Sequence, residues 1–570
     1  MKTSLPSLLV AAAFASGAMS ALDASAQTLP INYHLQLQVR ANTGGTAYNL
    51  PNGSTFNSVS VSLNDSGEIA AKVNTVGQTV SPGVFFGGHG VGGLVHDAGD
   101  NEAITGDAFL NNNNQITWTR SLSTNNADNG VWRYNRATAT AALLTNGPLG
   151  ATSYTNPRLN DLGMLGTRVR FNTPQALMSY NPATNAWINY VTENSGDPNS
   201  PYSFIYAPAF NNNHRLAAQV NLTSQASTFK ELRIWNPNGT SVLVASGDSS
   251  TGPTFYAFDN SISMNNYDQV AFTTRTSTAA AGRRIVVSDG VTTQMFPTVS
   301  SGSGFTSIDF FAPVINDNAR VAFRGNDNQA TPRDSVFVTD GTTFQRIAGV
   351  GDTLMTDAGP RVVGFLMGGV DINIHGAVAF GVQFTSASGG GNAIYVAYPQ
   401  IQPLMAVSRK IHGDAGPFDV VLPLTGTPGV ESRRGSGKNF NQHQVVITFA
   451  APVTFGSAMV TSGTGAVDTA TIQGNQVMLE LSGVANAQTL QVTLFNVYDG
   501  ANTSHVVIPL SVLAGDVNGN GTVNSADVAQ AKSQVGITNS TNFRADVVPN
   551  GAVNATDIAF VKSRAGTSLP

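Results

Sequence analysis

Between residues 60 and 385 one short arrangement of apolar and polar positions returns along the chain: an apolar strand end, an Asn, a polar turn, then an apolar-alternating strand. Seven copies occur, and their leading asparagines, Asn64, Asn111, Asn160, Asn211, Asn265, Asn316 and Asn373, stand about 47 to 57 residues apart. Self-similarity at such a period marks a repeat architecture. Each copy has the make-up of a β-hairpin, because Asn, Asp and Gly supply the positive φ angles and local side-chain hydrogen bonds that tight turns require. In the sixth copy the strand after Asn316 is followed by a second at 335–339, an Asp340-Gly341 turn and a third at 344–348, which with the strand before Asn316 makes four. The third and fifth copies keep this order. Seven units of four strands predict a seven-bladed β-propeller. The strictly alternating stretch 33–39 precedes the first copy and is expected to close the ring by completing the last blade.

The residue three after each leading Asn is Gly67, Gly163 or Gly376 in three copies, and Asn114, His214, Asp268 or Ala319 in the others. Asn and Asp tolerate left-handed backbone. In the sixth copy Asn318 is placed to take that conformation beside Ala319. The repeat, written N-x-x-G-x-x-A-F-x-A, resembles that of the bacterial exported proteins with choice-of-anchor tandem repeats. It specifies a turn, not a chemistry.

From about residue 403 to 513 the repeat gives way to short strands at 418–422, 444–449, 458–460, 477–481, 490–494 and 505–508, whose spacing suggests an immunoglobulin-like β-sandwich. Arg409, Lys410 and His412 are expected to form a solvated surface patch, a polyanion contact being the other reading.

Composition sharpens this picture. Gly numbers 58, Glu only six and the charged residues 11%, which leaves little from which to build long amphipathic helices, so the protein is read as mainly β. A net charge of -5 without a basic block gives no footprint for nucleic acid. Cysteine is absent, so neither disulfides nor thiolate chemistry is available. Lys2, the apolar run 5–19 and Ala24-Ser25-Ala26 form a secretory signal over 1–26, predicting a secreted, extracellular chain from Gln27 onward, with cell-surface association left open. No later stretch approaches the ~20 apolar residues of a transmembrane span.

The densest chemistry lies at the C-terminus. Asp516, Asn518 and Asn520 put oxygens at positions 1, 3 and 5 of a twelve-residue EF-hand-like loop, Gly521 allows its sharp turn, Thr522 offers a carbonyl at 7, Asn524 acts through water at 9 and Asp527 closes the shell at 12. Thirty residues on, Asp546, Asn550, the Ala552 carbonyl, Asn554 and Asp557 repeat the pattern, with Val548 at position 3. A helix is expected after each loop, ended by Gly536 and Gly566. Two calcium ions are expected, the second held more weakly; one ion, or an ion-free turn, are the other readings. The duplicated loop-helix with Asp at position 12 resembles the type I dockerin domain. That resemblance implies a calcium-dependent module that docks onto a cohesin-like or other surface partner, in the company of polysaccharide-degrading assemblies.

The units expected are therefore a propeller (27–402), a sandwich (403–513) and a dockerin-like module (514–570). Gly88-His89-Gly90-Val91-Gly92-Gly93 spells G-x-G-x-x-G, but no βαβ unit surrounds it. His89, His96, His214 and His375 read as turn or surface residues. No catalytic residue is assigned. Glu102, Glu193, Asp197 and Asp371 are carboxylates that could stand near blade ends, yet nothing in their spacing pairs them as glycoside hydrolysis requires. A non-catalytic binding or structural protein is the first reading, and a polysaccharide-acting hydrolase or lyase the alternative.

Overall fold

The computed structural model describes residues 33–42, 45–56, 60–75, 83–97, 102–122, 129–248, 255, 257–275, 283–296, 304–499 and 503–570. The secretory signal at 1–26 lies outside them. Among the described residues the repeat region forms seven antiparallel sheets of four or five strands, six of them following the chain order of their own copy and the last also taking in the N-terminal strand. In the third sheet, for example, Ser153–Leu159, Leu165–Arg170, Gln175–Asn181 and Ala186–Thr192 lie side by side. The arrangement is propeller-like.

Inner strands such as Val270–Arg275 and Val378–Phe384 are buried along almost their whole length, because a neighbouring sheet covers each face. Hence they read as unbroken apolar runs. Outer strands such as Ala186–Thr192 are half-buried or exposed along most of their length, Tyr190 alone being buried. Apolar clusters fill the spaces between successive sheets: Ala70, Val84 and Phe86 of the first pack against Ile116, Trp118 and Tyr134 of the second. The last sheet packs on the first in the same way, through Ala379, Ile394 and Val396 against Ile69, Val73 and Phe85.

The leading asparagines do more than turn the chain. All seven are buried, and each side-chain oxygen accepts the backbone N–H four residues on, fixing its own hairpin. In six of them the amide nitrogen then donates to the backbone carbonyl of the next copy's Asn, from Asn111 round to Asn373, which reaches the carbonyl of Asn64 at 3.1 Å. Asn64 is the exception, donating instead to the Asn114 side chain at 2.6 Å. A buried amide is costly unless its hydrogen bonds are made, and here the same side chain serves two neighbours.

The third residue after each Asn is left-handed in every copy, with φ from 57° at Asn114, His214 and Ala319 to 81° at Gly163. In the sixth copy it is Ala319 itself that takes the strain, not Asn318, because the turn's geometry fixes the position whatever residue stands there. For a residue with a Cβ that costs roughly 1–2 kcal/mol, against which Gly loses 0.5–1 kcal/mol in backbone entropy. Ala319→Gly is therefore expected to stabilise the repeat region by about 0.5–1 kcal/mol, measured by denaturant unfolding followed through tryptophan emission; a lower midpoint would contradict this account of the turn.

The N-terminal strand Tyr33–Ala41 pairs antiparallel with Asn392–Pro399 and so becomes part of the last sheet. Within it Arg40 is fully buried and makes two 2.7 Å hydrogen bonds to the carboxylate of Asp357.

Beyond residue 400 two further sheets face each other. One has the order Pro417–Val421, Met405–Ile411, His443–Thr448, Gln476–Ser482, Ala466–Gln473; the other Val430–Glu431, Thr503–Val512, Gln488–Tyr498, Ser457–Ser462. Val445, Ile447, Leu479 and Leu481 of the first meet Leu490, Val492, Ile508 and Leu510 of the second in one apolar core. Met405–Ile411 carries the charges read from sequence as a solvated patch, and the structure corrects that reading. Lys410 is buried and donates to the Gln442 carbonyl, Arg409 pairs with Asp419, and His412 just beyond is fully buried.

At the C-terminus stand helices α1 (Ser525–Ser533) and α2 (Ala555–Arg564), packed on each other. Asn524 and Asn554 cap them, in capping boxes completed by Asp527 and Asp557. Gly566 follows the C-cap residue Ala565 with φ 91°, as expected of a helix-ending glycine. Gly536 does not end its helix. α1 stops at a Gln534 C-cap, and Gly536 opens a two-residue strand, Gly536–Ile537, paired with Ala552–Val553.

Candidate functional site

Two regions gather chemistry: the pair of loops before the helices, and the channel enclosed by the seven sheets.

In the first loop the two predicted carboxylates, Asp516 and Asp527, are buried and close enough to act on each other, whereas Asn524, expected to act through water, caps α1 through its side-chain oxygen. Asp516 is held in place by its own loop, accepting N–H groups from Gly519, Asn520 and Gly521 at 2.8 to 3.1 Å. Asp527 accepts from Asn518 N–H and Asn524 N–H. The Asn518 and Asn520 side chains stand exposed, their oxygens accepting only backbone and hydroxyl donors of the same loop. Asn524 donates to the Thr522 hydroxyl at 3.2 Å, so the Thr522 carbonyl is not drawn into that contact. Burial pushes the Asp516 carboxyl up, the charge of Asp527 adding to it, while three N–H donors oppose them. Two carboxylates forced together among oxygen ligands form a set that a divalent cation would relieve. The donor chemistry fits calcium, with Asp516, Asn518, Asn520, the Thr522 carbonyl and Asp527 as the residues that would hold it.

The second loop is built differently. Asp546 and Asp557 occupy the matching places, and Asp557 accepts from Val548 N–H and Asn554 N–H. Burial raises the Asp557 carboxyl, with Asp546 adding to the effect. Asp546, however, is gripped from outside its loop. Its Oδ2 accepts from His412 Nδ1 at 2.8 Å and from the Thr538 hydroxyl at 2.7 Å, besides the Gly551 N–H at 3.0 Å. Burial would push this carboxyl up, but those donors hold it below the usual carboxylate range. Arg433 Nη1 stands 3.0 Å from His412 Nε2 and can only donate, which leaves the proton of a neutral His412 on Nδ1, facing Asp546. Arg433 in turn makes three hydrogen bonds of 2.8 Å or so with Glu431, and all four side chains, Glu431, Arg433, His412 and Asp546, are fully buried. Val548 is buried among Val430, Val517, Val547 and Val553, and the Asn554 amide folds back onto the Ala552 carbonyl at 3.1 Å.

Sequence reasoning found every loop carboxylate. It missed His412, Glu431, Arg433 and Thr538, since nothing local ties a histidine of the sandwich to an aspartate 134 positions later.

The channel mouth is ringed by the residues that follow the leading asparagines: Asp65, Asn112, Asp161, Asn212, Asn266, Asp317 and Ile374. Their side chains are largely spent on each other. In six places the backbone N–H of one donates to the side-chain oxygen of the next around the ring, at 2.8 to 3.0 Å. Asp161 also accepts from the amides of Asn112 and Asn212. Deeper in, Arg158 lies over the Phe109 ring at 4.4 Å, with Asp371 and Asp107 as its charged neighbours. Burial pushes the Asp371 carboxyl up to about 6, against the pull of Arg158 and of the Leu63 and Ile372 N–H groups.

The other carboxylates considered from sequence are not brought together with Asp371. Glu193 is buried and accepts from Gln175 N–H and Ile205 N–H at 3.0 Å each, tying two strands together. Asp197 accepts from Asn199 N–H in a turn. The side chain of Glu102 lies outside the described residues. Gly88-His89-Gly90 is a hairpin tip between Gly83–Gly88 and Val91–Asp97, with His89 and Gly90 both left-handed.

Comparison with known proteins adds one firm result: residues 514–564 match the model of the dockerin type I domain. The C-terminal module is thus of the calcium-dependent docking kind. No curated protein matches the chain. Among solved structures, an oligogalacturonate lyase in complex with manganese is similar at 13% identity and a TM-score of 0.41, over 65% of this chain and 97% of its own. An oligogalacturonate lyase from Vibrio parahaemolyticus gives 9% and 0.40, over 64% and 97%. The β-propeller domain of the Trilobed protease from Pyrococcus furiosus gives 9% and 0.41, over 60% and 96%. At such scores these likenesses bear on neither ligand nor reaction. Among the described residues no helix is long and apolar enough to cross a membrane.

Proposed function

We propose that the chain is an exported, non-catalytic binding or structural protein, in which a seven-bladed propeller (27–402) and an immunoglobulin-like sandwich (403–513) are attached to a partner through a calcium-dependent docking module (514–570). The seven sheets and their belt of asparagines support the blade count. The sandwich assignment draws on the strand order of its two sheets, including the short edge strand Val430–Glu431 that runs parallel to Thr503–Val512. The observation that carries the non-catalytic reading is the channel mouth: its carboxylates and amides are consumed in holding neighbouring turns together, which makes a rigid surface, not a set of free acids and bases. The partner is of cohesin type, and a polysaccharide is the ligand class that the company of such modules suggests.

The full chain loaded with calcium is expected to be retained on an immobilised type I cohesin and released by a chelator. Asp527→Ala should lower the affinity at least 100-fold, since it removes a loop ligand and the capping box of α1 together. Retention that ignores both chelator and substitution would sink the docking reading.

One feature favours the competing enzyme: the Asp371 carboxyl beside Arg158, pushed up to about 6 by burial, keeps its proton to a higher pH than an ordinary aspartate, as a general acid requires. A hydrolase needs a second carboxyl facing it across the substrate. Release of sugar from plant polysaccharide by the wild type, lost in Asp371→Asn, would move the assignment to that reading.

A further inference from the structure

Loop 1 and loop 2 occupy equivalent places in a duplicated module, yet the rest of the molecule treats them differently. The first faces solvent at Asn518 and Asn520. The second is pressed against the sandwich so closely that a Cβ on Gly413 would come within 2.6 Å of the Asn550 carbonyl oxygen, and one on Gly551 within 3.0 Å of the His412 carbonyl oxygen. Around this contact the joint continues: Arg434 N–H donates to the Val547 carbonyl, the Ser432 hydroxyl to the Arg544 carbonyl, and Phe543 stacks on Phe418 with centroids 5.5 Å apart.

We infer that the second loop is not a calcium site but the joint that seats the docking module on the sandwich, so that the chain holds one calcium ion. The inference rests on the module being calcium-dependent through its first loop. Calcium needs six to eight oxygens. At position 3 of the second loop the Val548 side chain is turned into the module's apolar core, 8% exposed, so it supplies no oxygen. At position 7 the Asn554 amide engages one of the two lone pairs of the Ala552 carbonyl, whereas Asn524 of the first loop leaves the corresponding carbonyl alone. At position 1 the Asp546 carboxylate is satisfied by His412 and Thr538, buried donors that do for it part of what a cation would do for Asp516. The proposal departs from the two ions that the duplicated sequence pattern suggests.

Calorimetric titration of calcium into the chelator-stripped full chain tests this, with bound calcium counted by atomic emission after dialysis. One equivalent is expected. Asn520→Ala and Asn550→Ala remove exposed side chains at position 5 of the two loops, so neither threatens the fold. Asn520→Ala should weaken binding at least tenfold, while Asn550→Ala leaves stoichiometry and affinity as in the wild type. Two equivalents in the wild type, with Asn550→Ala weakening one of them, would overturn the inference while leaving the docking reading intact. No uptake at all would overturn both.

Discussion

Arg433→Met should destabilise the C-terminal part of the chain by about 3–5 kcal/mol, because removing one partner of a buried ion pair leaves the other charged and unpaired. Arg433 and Glu431 are both fully buried. Beyond Glu431 the guanidinium also donates to the Ser408 and Phe418 carbonyls and to His412. Its loss therefore strands acceptors in the sandwich and frees the histidine that holds Asp546. The four tryptophans, Trp118, Trp132, Trp187 and Trp235, all belong to the repeat region. A calorimetric transition that shifts without a change in tryptophan emission is thus the transition of sandwich and module. Glu431→Met with Arg433→Met should recover more than half of the loss, since replacing both charges removes the unpaired one. A shift worth less than about 1 kcal/mol in the single variant would mean that the network is not what joins the two units.

Acid should weaken the sandwich through one residue in particular. His443 is 2% exposed, and burial, with Lys410 next to it in effect, pushes its pKa down to about 3. The imidazole is neutral in the fold but takes up a proton in the unfolded chain below about 6.5. Between these values the unfolded state binds more protons, so stability is fully present above pH 6.5 and is lost as pH falls toward 3. The slope from this group approaches about 1.4 kcal/mol per pH unit. Lys410, held down to about 8 by burial, does not change its charge in that window. Carboxylates add acid losses of their own, so the comparison is with His443→Leu: its stability should fall more gently from pH 6 to 4, the two curves converging as acid is added. Parallel curves would show that His443 is protonated in the fold.

The repeat was legible because turns are local. An Asn that must accept an N–H four residues on, followed by a left-handed residue, leaves its trace in a handful of adjacent letters, as at Asn160 and Gly163. The loop carboxylates were legible for the same reason. What a side chain does beyond its own turn was not: that Asn211 donates to the carbonyl of Asn265 depends on how two hairpins are stacked. Ala319 shows the limit even within a turn, for its side chain argues against the φ of 57° that the fold imposes. The charged stretch Arg409, Lys410 and His412 misled because burial of a charge is decided by partners, and those partners, Asp419, Gln442 and Asp546, come from three other segments. Val548 was read as a missing ligand, but its place in the core, which decides what the loop can hold, was visible only in three dimensions.

The pairing of Tyr33–Ala41 with Asn392–Pro399 also dictates an order of events. Tyr33–Ala41 is synthesised before its partner Asn392–Pro399, so it must wait unpaired until the chain between them has been made. A waiting strand with a free row of backbone groups invites association with other chains. Arg40 makes such errors costly, because in any wrong pairing its guanidinium would be buried without the Asp357 carboxylate that receives it in the finished ring. A single charge in the strand thus guards the chain through the interval between its synthesis and its closure.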